Sequence, residues 1–285
     1  MSVRLNRFLA KVSKGLDSFI FIGSFVVFIS WFTSNGFLYS PSSPVMSPFT
    51  AFSLLLMSGS RLAEKVFDTW SKPMTLALLG IVACGNFSSM WIQWNIPELF
   101  FHSLNGVVPT SSFTSIGLIL FCFYEILVIV RKTPDSAIIV DDILLHLALF
   151  PGGLSFLGHV LQVPAYMSSA HDPRVGIGYL EMTFMGAFAV GAVISNPNLF
   201  LWRFLGHSTI NRLTFTILFI NQYVAPILIG WLLQSPTGPI PYGIEFFVML
   251  AGVLATLIFL VINALCKRCL EQQKVSVSSF ESDVS

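Results

Sequence analysis

Charge is what this sequence has least of. Asp, Glu, Lys and Arg make up 10% of its 285 residues, and the formal net charge is +1. With no basic excess, and no basic patch interleaved with aromatics, nothing points to nucleic acid as a partner. Cysteine is scarce too. Cys84 and Cys122 fall inside apolar runs, and Cys266 and Cys269 follow the last one, so four cysteines do not make a disulfide framework. Cys266-Lys267-Arg268-Cys269 has C-x-x-C spacing but no βα context for redox chemistry. There is no G-x-S-x-G, phosphate-binding loop or H-E-x-x-H, so the reading is of a protein that is not an enzyme and has no cofactor. The first apolar run follows Arg4, Arg7, Lys11 and Lys14 as in a signal peptide, yet no A-x-A-like site succeeds it, and it reads as an uncleaved helix.

What the chain does contain is apolar length. Hydrophobic residues are 54% of the total and 28 are Phe. Runs of about 20 apolar residues, enough to cross a hydrocarbon core of about 30 Å, recur throughout. Being continuous, they exclude the inside–outside alternation of barrel strands. The fold class expected is all-α and polytopic, with spans near 17–34, 47–63, 74–92, 111–131, 141–161, 177–195, 210–233 and 243–265. This is one transmembrane domain over residues 1–265, with a short polar cytoplasmic tail over 266–285.

Connections after even-numbered spans carry charge, and those after odd ones are rich in Gly, Pro, Ser and aromatics. With the N-terminus in the cytoplasm, 14 of the 15 Lys and Arg residues lie on that side, Arg174 being the exception. Both termini are then cytoplasmic in a bacterial inner membrane, and the eight spans form four parallel-repeated helical hairpins.

The returning helices share a plan. Taking Thr50, Thr114 and Thr183 as one position, the residue eight further on is small each time: Ser58, Cys122 and Gly191. The spacings of 64 and 69 residues suit a repeat of one helix pair. Ser58, Gly59, Gly186 and Gly191 are expected to allow close helix approach.

Residues that could carry chemistry are few. Glu125 lies six residues before Arg131; it either binds a proton or counters a basic group on a neighbouring helix, or sits as an inner-interface carboxylate reaching water and the basic loop, the plainer alternative. Asn221-Gln222-Tyr223 in span seven and His146 in span five complete a possible intramembrane polar site, with interhelical hydrogen bonding as the alternative role. Glu181 and Glu245 open spans six and eight, where capping is the default. Asp141-Asp142 opens span five and reads as a helix cap rather than half of a Mg²⁺–pyrophosphate site. His102, His159 and His171, with Glu98 and Asp172 near in sequence, make a candidate Zn²⁺ or Cu²⁺ set, although no helical histidine spacing joins them. His146 and His159, 13 residues apart on one helix, point to different faces and do not make a haem pair. Pro151-Gly152-Gly153 is a candidate kink.

The run GGLSFLGHVLQVPAYMSS, then MTFMGAFAVGAVISNPN and RLTFTILFINQYVAPILIGWLLQ, resembles the multi-span membrane input regions of bacterial PAS, histidine kinase and diguanylate cyclase sensor proteins. The matching points are Gly158 with Val163-Pro164, Thr183 with Gly191, Asn196-Pro197, Pro226 with Gly230-Trp231-Leu232, and Met46 to Ala51. The resemblance implies a signal-receiving membrane module. Two features depart from it: the sequence stops about twenty residues after the last span, with no output domain, and His159 stands where an aromatic is expected. The function expected is therefore sensory, exerted through a separate protein partner in the membrane or cytoplasm, with the end of span eight as the relay and the lipid bilayer as its surroundings. The alternatives are a small-solute or lipid transporter using a cavity near Glu125 and Asn221, or a membrane immunity or accessory protein.

Overall fold

The computed structural model describes residues 3–33, 44–67, 72–96, 108–131, 139–167, 175–202, 208–233 and 244–283. They form α1 (Val3–Phe32), α2 (Pro48–Val66), α3 (Lys72–Asn95), α4 (Ser112–Val130), α5 (Ile139–Leu161), α6 (Tyr179–Ser195), α7 (Thr209–Leu233) and α8 (Ile244–Asp283), with a single helical turn at Pro164–Met167. No β-strand occurs among the described residues. α1 over Arg7–Phe32, α3, α4, α5, α7 and α8 over Ile244–Lys267 are long and apolar enough to cross a membrane. This is an all-α, multi-pass membrane protein. Large apolar side chains that are at least half exposed, among them Phe19, Val66, Ile81, Phe123, Val190, Leu213 and Ile258, occur on seven of the helices. Water would not sustain so much apolar surface; a lipid bilayer does.

Each span expected from the sequence falls on a helix, but two ends differ. α1 begins at Val3 rather than near residue 17, and its polar part is packed, Ser13 and Asp17 both being buried. α8 continues to Asp283, so the backbone of the expected tail is helical. α5 runs unbroken through Pro151-Gly152-Gly153. It ends in a Schellman turn: Gln162 takes the left-handed conformation (φ 56°), the Val163 N–H donates to the Gly158 carbonyl at 2.9 Å, and Pro164 follows.

The chain divides into two compact units. The first comprises residues 1–134 and 144–197, and in it α1 packs along α2 and α6, and α3 along α4, while α2 also meets α3, α4 and α6. The second comprises residues 135–143 and 198–285, with α7 packed along α8. Its core joins Phe200, Leu260 and Ala264 to Ile139, Leu201, Phe215 and Phe259. Asp142 does more than serve the first turn of its own helix. Its carboxylate accepts the N–H groups of Phe200 (3.0 Å) and Leu201 (3.1 Å), which open the next helical turn.

The first unit is built on three helices with a common start. Ser47 and Ser111 cap α2 and α4, each hydroxyl accepting the N–H of the third residue on, Thr50 and Thr114; Gly178 holds the same place before α6. From these caps, the third residue is Thr50, Thr114 or Glu181, the tenth Met57, Phe121 or Phe188, and the eleventh Ser58, Cys122 or Ala189, and all nine are buried. The spacing repeats one helical face three times. Counted from the caps, which are 64 and 67 residues apart, Glu181 rather than Thr183 takes the place of the two threonines. Thr183 is exposed and donates to the Tyr179 carbonyl. Gly59 packs on the Phe21 ring and Gly191 beside Arg61 and Asp17, but Gly186 faces open space, so only two of these glycines let a neighbour approach.

Candidate functional site

Two polar clusters lie at opposite ends of that three-helix face. At the end where α2 and α4 finish, Asp17 of α1 is wholly buried. Its carboxylate lies 3.3 Å from Arg61 Nε and 2.6 Å from Lys65 Nζ, and Lys65 also donates to the Ser13 hydroxyl at 2.8 Å. The Arg61 guanidinium continues to Glu125 Oε1 of α4 at 3.5 Å, donates to Ser195 Oγ of α6 at 3.1 Å, and lies over the Phe188 ring at 4.7 Å. The Ser13 hydroxyl reaches the Gly191 carbonyl at 3.4 Å. Two basic side chains thus face two carboxyl groups.

Arg61 and Glu125 each stand fourteen residues after their helix caps. The shared spacing brings them to one level, and on α6 Gly191 lies beside the guanidinium, a Cβ there standing 3.5 Å from Arg61 Nη2. Side-chain exposures of 0% for Asp17, 7% for Arg61 and 14% for Glu125 mean these charges interact with little water between them. Glu125 therefore takes the neighbouring-helix alternative, not the plainer role of a carboxylate serving the loop after α4.

At the other end, hydroxyls converge. Ser47 Oγ donates to Thr50 Oγ1 at 2.9 Å and lies 2.6 Å from Thr110 Oγ1, to which Thr50 donates at 3.2 Å. Ser111 Oγ and Thr114 Oγ1 are 2.7 Å apart, and Gln93 of α3 donates to the Thr110 carbonyl. Into this group comes Glu181, 1% exposed. The Thr50 and Thr114 hydroxyls and the Gly178 N–H face its carboxylate, as in half of a capping box. Neither carboxylate oxygen closes a hydrogen bond of ordinary length and angle among the described residues. Capping alone does not describe a carboxylate gathered with hydroxyls from two other helices.

Between the two clusters the face is closed by apolar side chains. Leu54, Met57, Leu118, Phe121, Met185 and Phe188 are all buried; Phe121 and Phe188 meet edge-on at 5.0 Å, and Cys122 Sγ lies 3.9 Å from Met57 Sδ.

The remaining described candidates, His146, His159 and Asn221-Gln222-Tyr223, lie on α5 and α7. Asn221 is exposed, whereas Gln222 is buried against Gly252 of α8, since neighbours on a helix point about 100° apart; Tyr223 stacks edge-on with Phe219. The triplet therefore does not line one pocket, and it belongs to the second unit while Glu125 belongs to the first. His146 is buried in α5. His159 stacks on Tyr179 with ring centroids 3.9 Å apart, and its Nε2 lies 3.2 Å from the Ile177 carbonyl, which requires the proton on that nitrogen. The Ser155 hydroxyl donates to the same carbonyl at 2.7 Å, so His159 helps fix the approach to α6. His102 and His171 lie outside the described residues, as do Glu98 and Asp172. Among the described residues, no three His, Cys, Asp or Glu side chains are grouped to hold a metal ion.

Sequence reasoning missed Asp17, Arg61 and Lys65 as a site, and took Glu181 for a simple cap. The readable signal was the shared place of Arg61 and Glu125 after Ser47 and Ser111. No protein-family model, curated protein or solved structure matches the chain.

Proposed function

We propose that this chain is a membrane-embedded signal-receiving module that acts through a separate protein partner. The observation that carries this reading is the ionic cluster of Asp17, Arg61, Lys65 and Glu125, which ties α1, α2 and α4 together and touches α6. Burying such a network returns little net stability, because desolvation offsets the attraction. Retaining it is better explained by two alternative packings whose balance a stimulus shifts, with the ion pairs made in one and exchanged in the other. A bistable charge latch suits signalling, and the resemblance to sensor input regions points the same way. The close-packed apolar middle of the same face gives a solute no polar path, which favours signalling over transport.

In this reading the chain crosses a bacterial inner membrane eight times as four hairpins, with both ends in the cytoplasm. Support comes from eight helices at the expected spans, from the packed pairs α1–α2, α3–α4 and α7–α8, and from the bias of Lys and Arg to alternate connections. The latch then lies at the cytoplasmic end and the hydroxyl cluster at the outer end. α8, helical to Asp283 past the apolar stretch ending at Lys267, is the relay toward the partner.

A reporter fused after Val163 is expected to score as external; a cytoplasmic signal would overturn the eight-span topology. For function, the full chain purified from its native membranes is expected to bring a signalling protein with it, and Arg61→Gln to alter that recovery. Recovery of no signalling protein, together with solute uptake by reconstituted liposomes, would sink this reading in favour of a transporter.

A further inference from the structure

The Glu181 cluster has a chemistry of its own, independent of the signalling role. A carboxylate is an acceptor only, and a hydroxyl brings one proton. Ser47 spends its proton on Thr50, and Thr50 on Thr110, while Thr110 at 2.6 Å from Ser47 closes the ring. The Ser47 oxygen, which also accepts the Thr50 N–H at 3.0 Å, is then filled, while the Thr50 and Thr110 oxygens each keep one lone pair. The groups that face Glu181 are the Thr50 and Thr114 hydroxyls and the Gly178 N–H. Both carboxylate oxygens are buried without a closed hydrogen bond, and among the described residues no Lys, Arg or His forms an ion pair with Glu181. A single negative charge in a membrane interior calls for one compensating positive charge.

Carboxylate and hydroxyl oxygens are hard ligands, the type that binds alkali and alkaline-earth cations rather than Zn²⁺ or Cu²⁺. A divalent ion would overshoot the lone carboxylate by one charge in a low-dielectric setting, and a monovalent ion balances it. We propose that Glu181, Thr50 and Thr114 form a site for one monovalent cation of sodium size. The cation draws the N-terminal turns of α2, α4 and α6 together, since each supplies a ligand from the third residue after its cap.

The test uses the full chain in detergent or nanodiscs, unfolded by heat in NaCl, KCl or choline chloride at equal ionic strength. A saturable rise in the unfolding midpoint is expected with sodium, at a half-saturating concentration at least about tenfold lower than for potassium, as linkage of binding to stability requires. Glu181→Gln should abolish the rise and Thr114→Val should weaken it, whereas Glu125→Gln, at the opposite cluster, should keep it. Equal midpoints in the three salts overturn the proposal and leave the helix N-termini, or a bound proton, as what compensates the carboxylate. That comparison is made on the wild-type chain, so it stands even if Glu181→Gln fails to fold. Persistence of the sodium effect in a folded Glu181→Gln protein overturns it equally.

Discussion

Arg61→Ala is expected to destabilise the first unit by about 3–5 kcal/mol, the scale found when one partner of a buried ion pair is removed. The guanidinium meets Asp17 at 3.3 Å and Glu125 at 3.5 Å, and it also holds Ser195 and covers the Phe188 ring. Its loss leaves Glu125 without a cation and Asp17 with Lys65 alone, and it opens a cavity beside Phe188. Removing the orphaned carboxylate as well should restore part of the loss. The double variant Arg61→Ala/Glu125→Ala is therefore expected to be less damaged than the sum of the two singles, with a coupling of about 1–3 kcal/mol, as contacting residues in one network show. Reversible unfolding in mixed detergent measures both values. A loss below about 1 kcal/mol for Arg61→Ala would mean that the charges are solvated as a surface pair is. The latch would then lose its physical basis.

The second large effect belongs to the second unit. A Cβ placed on Gly252 of α8 would stand 2.7 Å from both Cα and Cβ of Gln222 on α7. Those atoms are backbone and the root of a side chain, so no rotamer change can relieve the contact. Gly252→Ala is expected to cost about 1–3 kcal/mol by overpacking, and Gly252→Leu to force the two helices apart. Gly186→Ala is the control, because nothing lies within 4 Å of a Cβ there. In that open position the better helix propensity of Ala should leave stability unchanged or raise it by up to about 1 kcal/mol. The comparison is read from the unfolding midpoints of the three variants. Equal midpoints for Gly252→Ala and Gly186→Ala would show that α7 and α8 do not meet at Gly252.

Read along the chain, the sequence already contained the helices. Apolar runs of bilayer length have only one economical backbone solution, since each N–H and C=O must be satisfied within the segment. That is why the eight helices are legible without tertiary information, and why Ser47 and Ser111 announce the starts of α2 and α4. Residue type aligns Thr183 with Thr50 and Thr114, whereas by burial the counterpart is Glu181, a different side chain after a glycine cap. Local pattern also made Glu181 a cap and Asn221-Gln222-Tyr223 a cluster, because neither burial nor facing direction is visible in a neighbour list.

The tertiary structure alone decided which charges meet. Asp17 lies 44 residues from Arg61, and Arg61 lies 64 from Glu125, distances over which a sequence carries no contact information. The same holds for the hydroxyl ring, in which Ser47 meets Thr110 across 63 residues. Backbone hydrogen bonding within each helix is local, so the sequence by itself determines the spans. The pairing of buried charge depends on which faces pack together, so the latch and the Glu181 site exist only once α1, α2, α4 and α6 have been brought together.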